Sequence, residues 1–346
     1  MKAITIMGQG GIDKVQYRDV EPPRIGAREV LIESRAAALN HLDLFVRNNL
    51  ETFKLAPPHI AGADGAGVVA EVGAEVRTVK AGDRVLINPG LSCQSCEFCY
   101  AGEQSLCMRF GIMGESCPGT FAEYFKVPPE NVHPIPEGMS WEEAAAFPLV
   151  YMTAWRMLIS KAQIKPGEDI LILGIGGGVS TAALQIAKAL GLRAIVTSSS
   201  DDKLQKAKNL GADVGINYKT QDFAREVRDL TQRRGVDIVV DSVGGDSYAK
   251  SLACLRKGGR LVTCGATAGP RPQTDLQRIF WNQLSVFGST MGNMREFAEM
   301  LNFVRQRGLR PAIDQVFPLS EGAQAMARME EGKQCGKIVL KVGAQA

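Results

Sequence analysis

The sequence lacks long apolar runs, and no stretch approaches the roughly 20 apolar residues that would span a bilayer. Its first residues, MKAITIMGQGGIDKV, also lack the apolar region and small-residue cleavage site of a signal peptide. We therefore expect a cytoplasmic protein that does not use a membrane as a partner.

The sequence also lacks a strong excess of charge of either sign. Lys and Arg number 40 and Asp and Glu 37, giving a formal net charge of +3, and the basic residues are spread along the chain instead of forming a stripe. Nucleic acid is not expected as a partner. Repeats of solenoid period and low-complexity linkers are missing too. With 346 residues, 45% hydrophobic and 22% charged, the chain is predicted to be globular with two domains.

Eight cysteines are present, and four of them lie within fifteen residues as Cys93-x2-Cys96-x2-Cys99-x7-Cys107. In a reducing compartment such thiols are metal ligands or buried groups more often than disulfides. The spacing predicts a tetrahedral zinc site, whereas a ferredoxin-type cluster needs a three-residue final gap followed by proline. Because all four ligands come from the protein, the zinc is predicted to be structural and to stabilise the loop 90–110. The other cysteines are interpreted as buried thiols.

The rhythm of the sequence changes near Met139. Before it, segments such as EVLIES and DRVLINPG alternate with glycine and proline and predict a β-rich lobe. After it, apolar strands (DILILG, RAIVTSS, VGINY, VDIVVDS, RLVTCG) alternate with amphipathic helices, the pattern of a doubly wound parallel sheet. A sixth strand is predicted at 284–290 and a helix near 294–307, followed by the strand GKIVLKV, which returns to the first lobe. The fold class is α/β.

A glycine-rich turn joins the strand DILILG to the next helix. Gly174, Gly177 and Gly178 leave room for a pyrophosphate to approach the backbone N–H groups at the helix N-terminus, and Ser180 is small enough to replace the last glycine and to donate to phosphate. The alternative is an ordinary tight turn, which the flanking strand, helix and further strands make less favourable.

The end of the second strand predicts the type of nicotinamide cofactor. NAD-selective sheets usually carry an acidic residue there, and this chain has Ser198. Without that carboxylate a 2′-phosphate is not repelled, and Lys203 stands close enough downstream to neutralise it. NADP(H) is therefore favoured over NAD(H), with an ordinary loop and a solvated lysine as the alternative reading.

Together the segments GADGAGVVAEVG and GTFAEY, the four-cysteine loop and the glycine turn resemble the medium-chain dehydrogenase/reductase superfamily of zinc alcohol dehydrogenases and quinone oxidoreductases. The resemblance covers nearly the whole chain. It implies a GroES-like catalytic domain over 1–152, an inserted Rossmann NADP(H)-binding domain over 153–292, and a return to the catalytic domain over 293–346. It also implies a cofactor cleft between domains, and a homodimer or a tetramer built from dimers, often through the sixth strands.

The sequence departs from the zinc alcohol dehydrogenases at their catalytic metal. The positions that the resemblance assigns to its three ligands hold Asn40, Ala63 and Leu149, none of which is a plausible zinc ligand. The neighbouring acid survives as Asp64, for which we expect a hydrogen-bonding role within the lobe. Leu42 replaces the hydroxyl residue that begins the alcohol proton relay.

Other residues are similar to the quinone oxidoreductase branch. Its N-x2-D-x3-R signature is matched by Asn40, Asp43 and Arg47, and its lysine and tyrosine that grip the 2′-phosphate are matched by Lys203 and Tyr218. The resemblance implies that Thr153 lines the nicotinamide and that His41 approaches the pyrophosphate. We also assign Val179 and Gly265 to cofactor binding. The candidate catalytic residues are Asn40, Asp43 and Thr153.

Two of these candidates carry alternatives. The Asn40 amide can meet the enolate charge that grows during reduction, or it can be a structural amide that ties down a loop. Asp43 and Arg47 are expected to form an internal ion pair that shapes the cleft.

The predicted function is hydride transfer from NADPH to a quinone or an α,β-unsaturated carbonyl without catalytic zinc, since an alcohol normally needs a Lewis acid to lose its proton at neutral pH. The substrate is expected to be a small quinone, enone or aldehyde. Two alternatives remain open: a zinc alcohol dehydrogenase whose ligands include His59 or His133, and a non-catalytic NADPH sensor.

Overall fold

In a computed structural model of the protein, residues 1–49, 53 and 55–343 are described. The chain divides into two compact units, one formed by Met1–Leu149 with Asn293–Ala346 and the other by Val150–Gly292. Among the described helices none is long and apolar enough to cross a membrane.

The secondary structure alternates along the chain as follows. The strands are β1 (Lys2–Ile6), β2 (Val15–Asp19), β3 (Val30–Ala38), β4 (His59–Ile60), β5 (Asp64–Val72), β6 (Arg84–Ile87), β7 (Gly90–Leu91), β8 (Gly111–Ile112), β9 (Tyr124–Val127), β10 (Val132–Pro134), β11 (Asp169–Ile172), β12 (Arg193–Ser198), β13 (Val214–Asn217), β14 (Val236–Asp241), β15 (Leu255–Thr263), β16 (Ser285–Gly288), β17 (Ile313–Pro318) and β18 (Lys337–Lys341). The helices are α1 (His41–Asn48), α2 (Glu97–Tyr100), α3 (Trp141–Ala146), α4 (Pro148–Trp155), α5 (Gly178–Ala189), α6 (Asp201–Asn209), α7 (Phe223–Leu230), α8 (Ser247–Cys254), α9 (Leu276–Trp281), α10 (Met294–Arg307) and α11 (Gly322–Glu330).

The first unit is built around a mainly antiparallel sheet with the strand order β10-β6-β5-β3-β18-β17, in which β9 also pairs with β3. Val30 and Ile32 alternate inward along β3 and join a core cluster with Val69 and Phe125. The C-terminal strand β18 lies antiparallel to β3, with Val339 opposite Ala38. The end of the chain is thereby returned to the first lobe, as the sequence predicted.

The second unit is a six-stranded parallel sheet with the order β13-β12-β11-β14-β15-β16. Counted from β11, this is the order 3-2-1-4-5-6 of a doubly wound dinucleotide-binding sheet, so the predicted fold class is confirmed. All six residues of β14 are buried, as expected for a central strand covered on both faces.

Several helices differ from the prediction. The segment DFAREVRDLTQRRG is helical only as far as Leu230, because Gln232 and Arg233 take positive φ angles of 50° and 66° that end the helix. The short helices α1, α8, α9 and α11 were not predicted. They are at most nine residues long and give weak periodic signals.

Candidate functional site

A group of buried polar side chains lies where three strands of the first unit meet. Ala38 ends β3 and pairs with Asp64 at the start of β5, while β18 begins at Lys337 beside them. Gly336 precedes Lys337 with a φ of +108°, and a Cβ atom there would lie 2.3 Å from the Ala312 carbonyl oxygen. Glycine is therefore required for the chain to enter β18 at this point.

Lys337 is the centre of this group, which we call the Lys337 cluster (Asn40, Asp43, Asp64 and Lys337). Its ammonium donates to Oδ1 of Asn40 at 2.6 Å and to Oδ2 of Asp64 at 3.0 Å. Lys337 is 3% exposed and Asp64 is fully buried. Such a charge is tolerated inside a protein when it is paired and hydrogen-bonded, as it is here.

The contact with Lys337 fixes the orientation of the Asn40 amide. An ammonium can only donate, so the amide atom that faces it is the oxygen. The amide nitrogen then donates to Oδ2 of Asp64 at 2.9 Å and to the Ala38 carbonyl at 3.4 Å. Both amide hydrogens have acceptors within the protein, which favours the structural reading of Asn40 over a donor to substrate.

Asp64 is likewise occupied on both oxygens. Oδ2 accepts from Lys337 and Asn40, and Oδ1 accepts the backbone N–H of Leu149 at 2.9 Å. This is the hydrogen-bonding role within the lobe that the sequence indicated. Ala63 is fully buried and offers no ligand atom.

Asp43 holds two backbone segments together. Its carboxylate accepts the N–H of Asn40 at 2.7 Å and the N–H of Gly62 at 3.1 Å. Burial raises the pKa of Asp43 to about 7, although both backbone donors and Lys337 oppose the shift. Asp43 is thus a buried acid that titrates near neutrality.

The expected ion pair between Asp43 and Arg47 is wrong. Arg47 is fully buried on α1 and pairs instead with Glu330 of α11, at 2.5 Å from Nη2 to Oε1. The reason is the helical spacing: Asp43 turns toward the backbone of Asn40 and Gly62, and Arg47, one turn later, reaches the last residue of α11.

The histidines occupy separate places in the first unit. His41 is the first residue of α1 and is half-buried. His59 in β4 contacts the Gly114 carbonyl at 2.8 Å through Nε2. His133 in β10 lies against the Phe297 ring, and burial lowers its pKa to about 4. Neither His59 nor His133 joins a group of three or more metal-ligating side chains among residues 1–49, 53 and 55–343.

In the second unit, the predicted cofactor residues gather at one edge of the parallel sheet. Gly174 follows β11, Ser198 ends β12, Tyr218 follows β13 and Gly265 follows β15. Carboxyl ends of parallel strands meet at the same edge, which is where doubly wound sheets bind nucleotides. The structure therefore brings these four positions together along the sheet.

The glycine turn leaves the start of α5 open to an anion. Gly174 and Gly176 have φ angles of 62° and 114°, and Gly177 caps the helix in an extended conformation. The first backbone N–H groups of α5, at Gly178, Val179 and Ser180, have no partner within the helix, as at any helix N-terminus. They provide the donors and the dipole that a pyrophosphate needs.

Ser180 does not present its hydroxyl to that opening. The Oγ atom is 2.9 Å from the carbonyl oxygens of both Gly174 and Gly177, and the residue is 2% exposed. Its observed contacts hold the turn in shape. The expected side-chain donation to phosphate is thus not supported, whereas its backbone N–H keeps its place at the helix start.

The residues predicted to select the cofactor lie on two neighbouring strands. Ser198 is paired in register with Asn217, and its carbonyl accepts the backbone N–H of Tyr218 at 3.0 Å. Tyr218 is exposed, and Lys203 is half-buried in the first turn of α6, where its N–H contacts Ser200 Oγ at 3.4 Å. Ser198, Lys203 and Tyr218 therefore share one end of the sheet.

Thr153 and Gly265 complete the predicted set. Thr153 is 5% exposed on α4, and its hydroxyl lies 3.7 Å from the Met291 sulfur. A Cβ atom on Gly265 would lie 3.3 Å from the carbonyl oxygen of Ser242, a tight approach between the loops after β14 and β15.

The four cysteines converge in the loop 90–110. Their Sγ atoms all lie within 4.8 Å of one another, and the Sγ atom of Cys99 is 3.9 Å from that of Cys93 and 3.6 Å from that of Cys96. Tetrahedral zinc with Zn–S bonds of about 2.3 Å separates its sulfurs by about 3.8 Å. The geometry fits the predicted metal.

Backbone donors also favour the thiolate forms that bind zinc. The N–H groups of Cys93 and Arg109 each lie 3.3 Å from Cys107 Sγ. A backbone hydrogen bond from Ser95 lowers the pKa of Cys93 to about 5, while burial raises the pKa of Cys99 to about 11, a shift that a bound cation would reverse. The residues present can hold one zinc.

Sequence reasoning missed Lys337 and Gly176. The signal for Lys337 is a charged residue at the start of the apolar strand KIVLK, but its meaning depends on the pairing of β18 with β3. Gly176 carries the strongly positive φ of the turn, and the spacing of the fingerprint did not single it out.

Comparison with known proteins gives two family matches. Residues 26–137 match the alcohol dehydrogenase GroES-like domain, and residues 178–306 match the zinc-binding dehydrogenase domain. An alcohol dehydrogenase of Geobacillus stearothermophilus is 34% identical over 332 residues, covering 95% of this chain and 96% of the relative.

Two solved structures are similar over nearly the whole chain. A structure described as an NAD-dependent alcohol dehydrogenase has a TM-score of 0.95 and 44% identity, covering 99% of this chain and 100% of that one. A crotonyl-CoA carboxylase/reductase has a TM-score of 0.91 and 26% identity, covering 99% of this chain and 88% of that one.

Proposed function

Since this chain belongs to the medium-chain dehydrogenase/reductase superfamily of alcohol dehydrogenases, we propose that it is an NADPH-dependent reductase of quinones or α,β-unsaturated carbonyl compounds that works without a catalytic zinc. The observation that carries the proposal is the Lys337 cluster. A buried ammonium, not a set of metal ligands, is bound between Asn40 and Asp64.

The donor atoms of this region suit a lysine better than a divalent metal. Asn40, Ala63 and Leu149 supply no thiolate, imidazole or carboxylate, and zinc is bound in proteins by those groups. Asp64 does offer a carboxylate, but both of its oxygens are hydrogen-bonded within the first unit. A reaction that needs no metal-activated alkoxide fits these residues best.

The cofactor assignment rests on the carboxyl edge of the parallel sheet. NADPH supplies a hydride when bound. The backbone N–H groups of Gly178, Val179 and Ser180 hold its pyrophosphate, with His41 as a further contact, and Gly265 lets the loops approach closely. Lys203 and Tyr218 bind the 2′-phosphate beside Ser198. The name of the NAD-dependent neighbour supports a nicotinamide cofactor, while Ser198 favours the phosphorylated form.

The chain's own residues chiefly orient and enclose the reactants. Thr153 lines the nicotinamide. Asn40 and Asp43 hold the cluster and the backbone of Gly62 in place rather than transfer protons. A substrate whose carbon is already electron-poor needs only hydrogen bonds to its growing enolate, and the crotonyl-CoA neighbour, a reductase by name, supports this class. Small quinones, enones and aldehydes are the proposed substrates.

One structural zinc completes the proposed cofactor set. Cys93, Cys96, Cys99 and Cys107 would hold it and leave no open position for water or substrate. Its role is to keep the loop 90–110 folded.

The proposed assembly is a homodimer formed through β16, or a tetramer built from such dimers. β16 is an edge strand of the sheet, and Val286 on it is exposed. Nearby on α9, Phe280 and Trp281 are 66% and 72% exposed. An apolar sheet edge in a monomer invites pairing with another chain, and a second copy would cover it.

The experiment that tests the proposed function follows the near-ultraviolet absorbance of NADPH after a small enone or quinone is added, together with the zinc content per chain. We expect turnover with about one zinc per chain. Two zincs, with alcohol oxidation lost on chelation, would instead establish a zinc alcohol dehydrogenase, the alternative that the names of the relatives favour. Tight NADPH binding without turnover would point to a sensor.

A further inference from the structure

An amide and a carboxylate are joined beside the residues proposed to bind the 2′-phosphate. Asn217 is the last residue of β13 and directly precedes Tyr218, and Asp201 begins α6 two residues before Lys203. The Asn217 Nδ2 atom donates to Oδ1 of Asp201 at 2.8 Å. This bond connects the strand that carries Tyr218 to the helix that carries Lys203.

Asn217 is held firmly enough to act as an anchor. It is 8% exposed, and its Oδ1 atom accepts the N–H of Lys219 at 3.1 Å. Its backbone carbonyl accepts from Thr220 and Gln221 at 3.1 and 2.9 Å. The side chain therefore has one rotamer that satisfies the turn after β13 and the Asp201 carboxylate together.

Asp201 presents an electrostatic problem for a phosphorylated cofactor. It is an exposed carboxylate in the same helical turn as Lys203. A carboxylate near this end of the second strand attracts a ribose hydroxyl and repels a 2′-phosphate. The bond from Asn217 holds the carboxylate toward β13 and occupies one of its oxygens.

We propose that Asn217 is a positioning residue for cofactor selectivity, which restrains the Asp201 carboxylate so that Lys203 and Tyr218 can accept a 2′-phosphate. The inference rests on the proposed NADPH dependence and deepens it. In its absence Asp201 would be free to rotate toward the cofactor ribose, so that NADPH would bind more weakly and NADH would not.

The test measures dissociation constants of NADPH and NADH from cofactor fluorescence, with no substrate present. The full-length variants are Asn217→Ala, Asp201→Ala and the double variant. Asp202→Ala is the matched control, since Asp202 is the next exposed acid in the same helical turn. Thermal unfolding of each variant reports whether the fold is retained.

We expect Asn217→Ala to weaken NADPH binding about 10-fold and to change NADH binding by less than about 2-fold, a difference of roughly 1.4 kcal/mol. Asp201→Ala is expected to bind NADPH at least as tightly as the wild type. The double variant is expected to recover to within about 3-fold of the wild type, because no carboxylate remains to be restrained.

Two results would overturn the inference in distinguishable ways. If the wild type prefers NADPH but the double variant binds it as weakly as Asn217→Ala, Asn217 supports the turn alone and does not restrain Asp201. If the wild type binds NADH as tightly as NADPH, the cofactor assignment fails, and the selectivity role of Asn217 fails with it.

Discussion

The ammonium of Lys337 lies 3.0 Å from the carboxylate of Asp64, and both side chains are buried. Each is the main compensation for the charge of the other, with Asn40 bridging them. Removing either partner leaves a buried charge without its counterpart, which costs far more than losing an exposed pair.

Lys337→Met should therefore destabilise the protein by about 3–5 kcal/mol, as measured by urea unfolding. The matched control is Lys2→Met, which breaks the exposed pair between Lys2 and Asp19 and should unfold close to the wild type. Adding Asp64→Asn to Lys337→Met should recover part of the loss, because the stranded charge is removed. A Lys337→Met protein as stable as the control would show that the pair is not a strong internal contact.

Asp43 predicts a specific dependence of stability on pH. Its folded pKa is raised to about 7 from an ordinary value of 3.8, so between these values the folded chain holds a proton that the unfolded chain has lost. The contribution of Asp43 to the free energy of unfolding should therefore fall as pH rises through this window, by at most about 1.4 kcal/mol per pH unit.

Asp43→Asn cannot titrate, so the difference in unfolding free energy between wild type and variant isolates the effect. This difference should decline from about pH 5 to about pH 7 and then level off. A difference that rises with pH would mean that the folded-state pKa is depressed.

Ser198→Asp should exchange the cofactor preference. A carboxylate at the end of β12 repels a 2′-phosphate and can accept from the ribose hydroxyls. We expect kcat/KM with NADPH to fall roughly 10- to 100-fold while that with NADH is retained or rises. Lys203→Ala should also weaken NADPH selectively, whereas Lys206→Ala, farther along α6, should not. Equal losses for both cofactors would remove the selectivity assignment.

The four-cysteine loop predicts the effect of losing one ligand. Cys96→Ser should reduce the zinc content from about one per chain to well below one and lower the unfolding temperature, because structural zinc binding is coupled to folding. Cys117→Ser is the control, since Cys117 lies outside the cluster. Zinc retained at the wild-type level in Cys96→Ser would contradict the ligand assignment.

The proposed dimer predicts a change of mass in solution. Val286→Lys places a charge on the exposed face of β16, a device that natural edge strands use against pairing. Light scattering should give twice the chain mass, or four times, for the wild type and a smaller assembly for the variant. Val316→Lys, on the edge strand β17 of the first unit, should leave the mass unchanged. A wild-type monomer would contradict the proposal.

The carboxyl edge of the second unit could be predicted because its signals are local. Gly174 and Gly177 stand in one turn, and Ser198 and Tyr218 each end a strand whose apolar run is plain in the sequence. The cysteine loop is local in the same way. Such patterns determine geometry within a few residues, so spacing alone was sufficient.

The Lys337 cluster could not be predicted, because it joins residues far apart in sequence. Lys337 and Asn40 are separated by 297 positions and meet only through the pairing of β18 with β3. The rejected pair of Asp43 with Arg47 failed for the opposite reason. Their helical spacing is favourable, but backbone donors and Glu330 compete for the same side chains.

The central claim is hydride transfer without a catalytic metal, and one measurement tests it most directly. A protein preparation shown to contain one zinc per chain is mixed with NADPH and a small enone, and the near-ultraviolet absorbance of the cofactor is followed. The account predicts a steady loss of absorbance that added zinc does not accelerate. Activity that appears only when a second zinc is bound would contradict it.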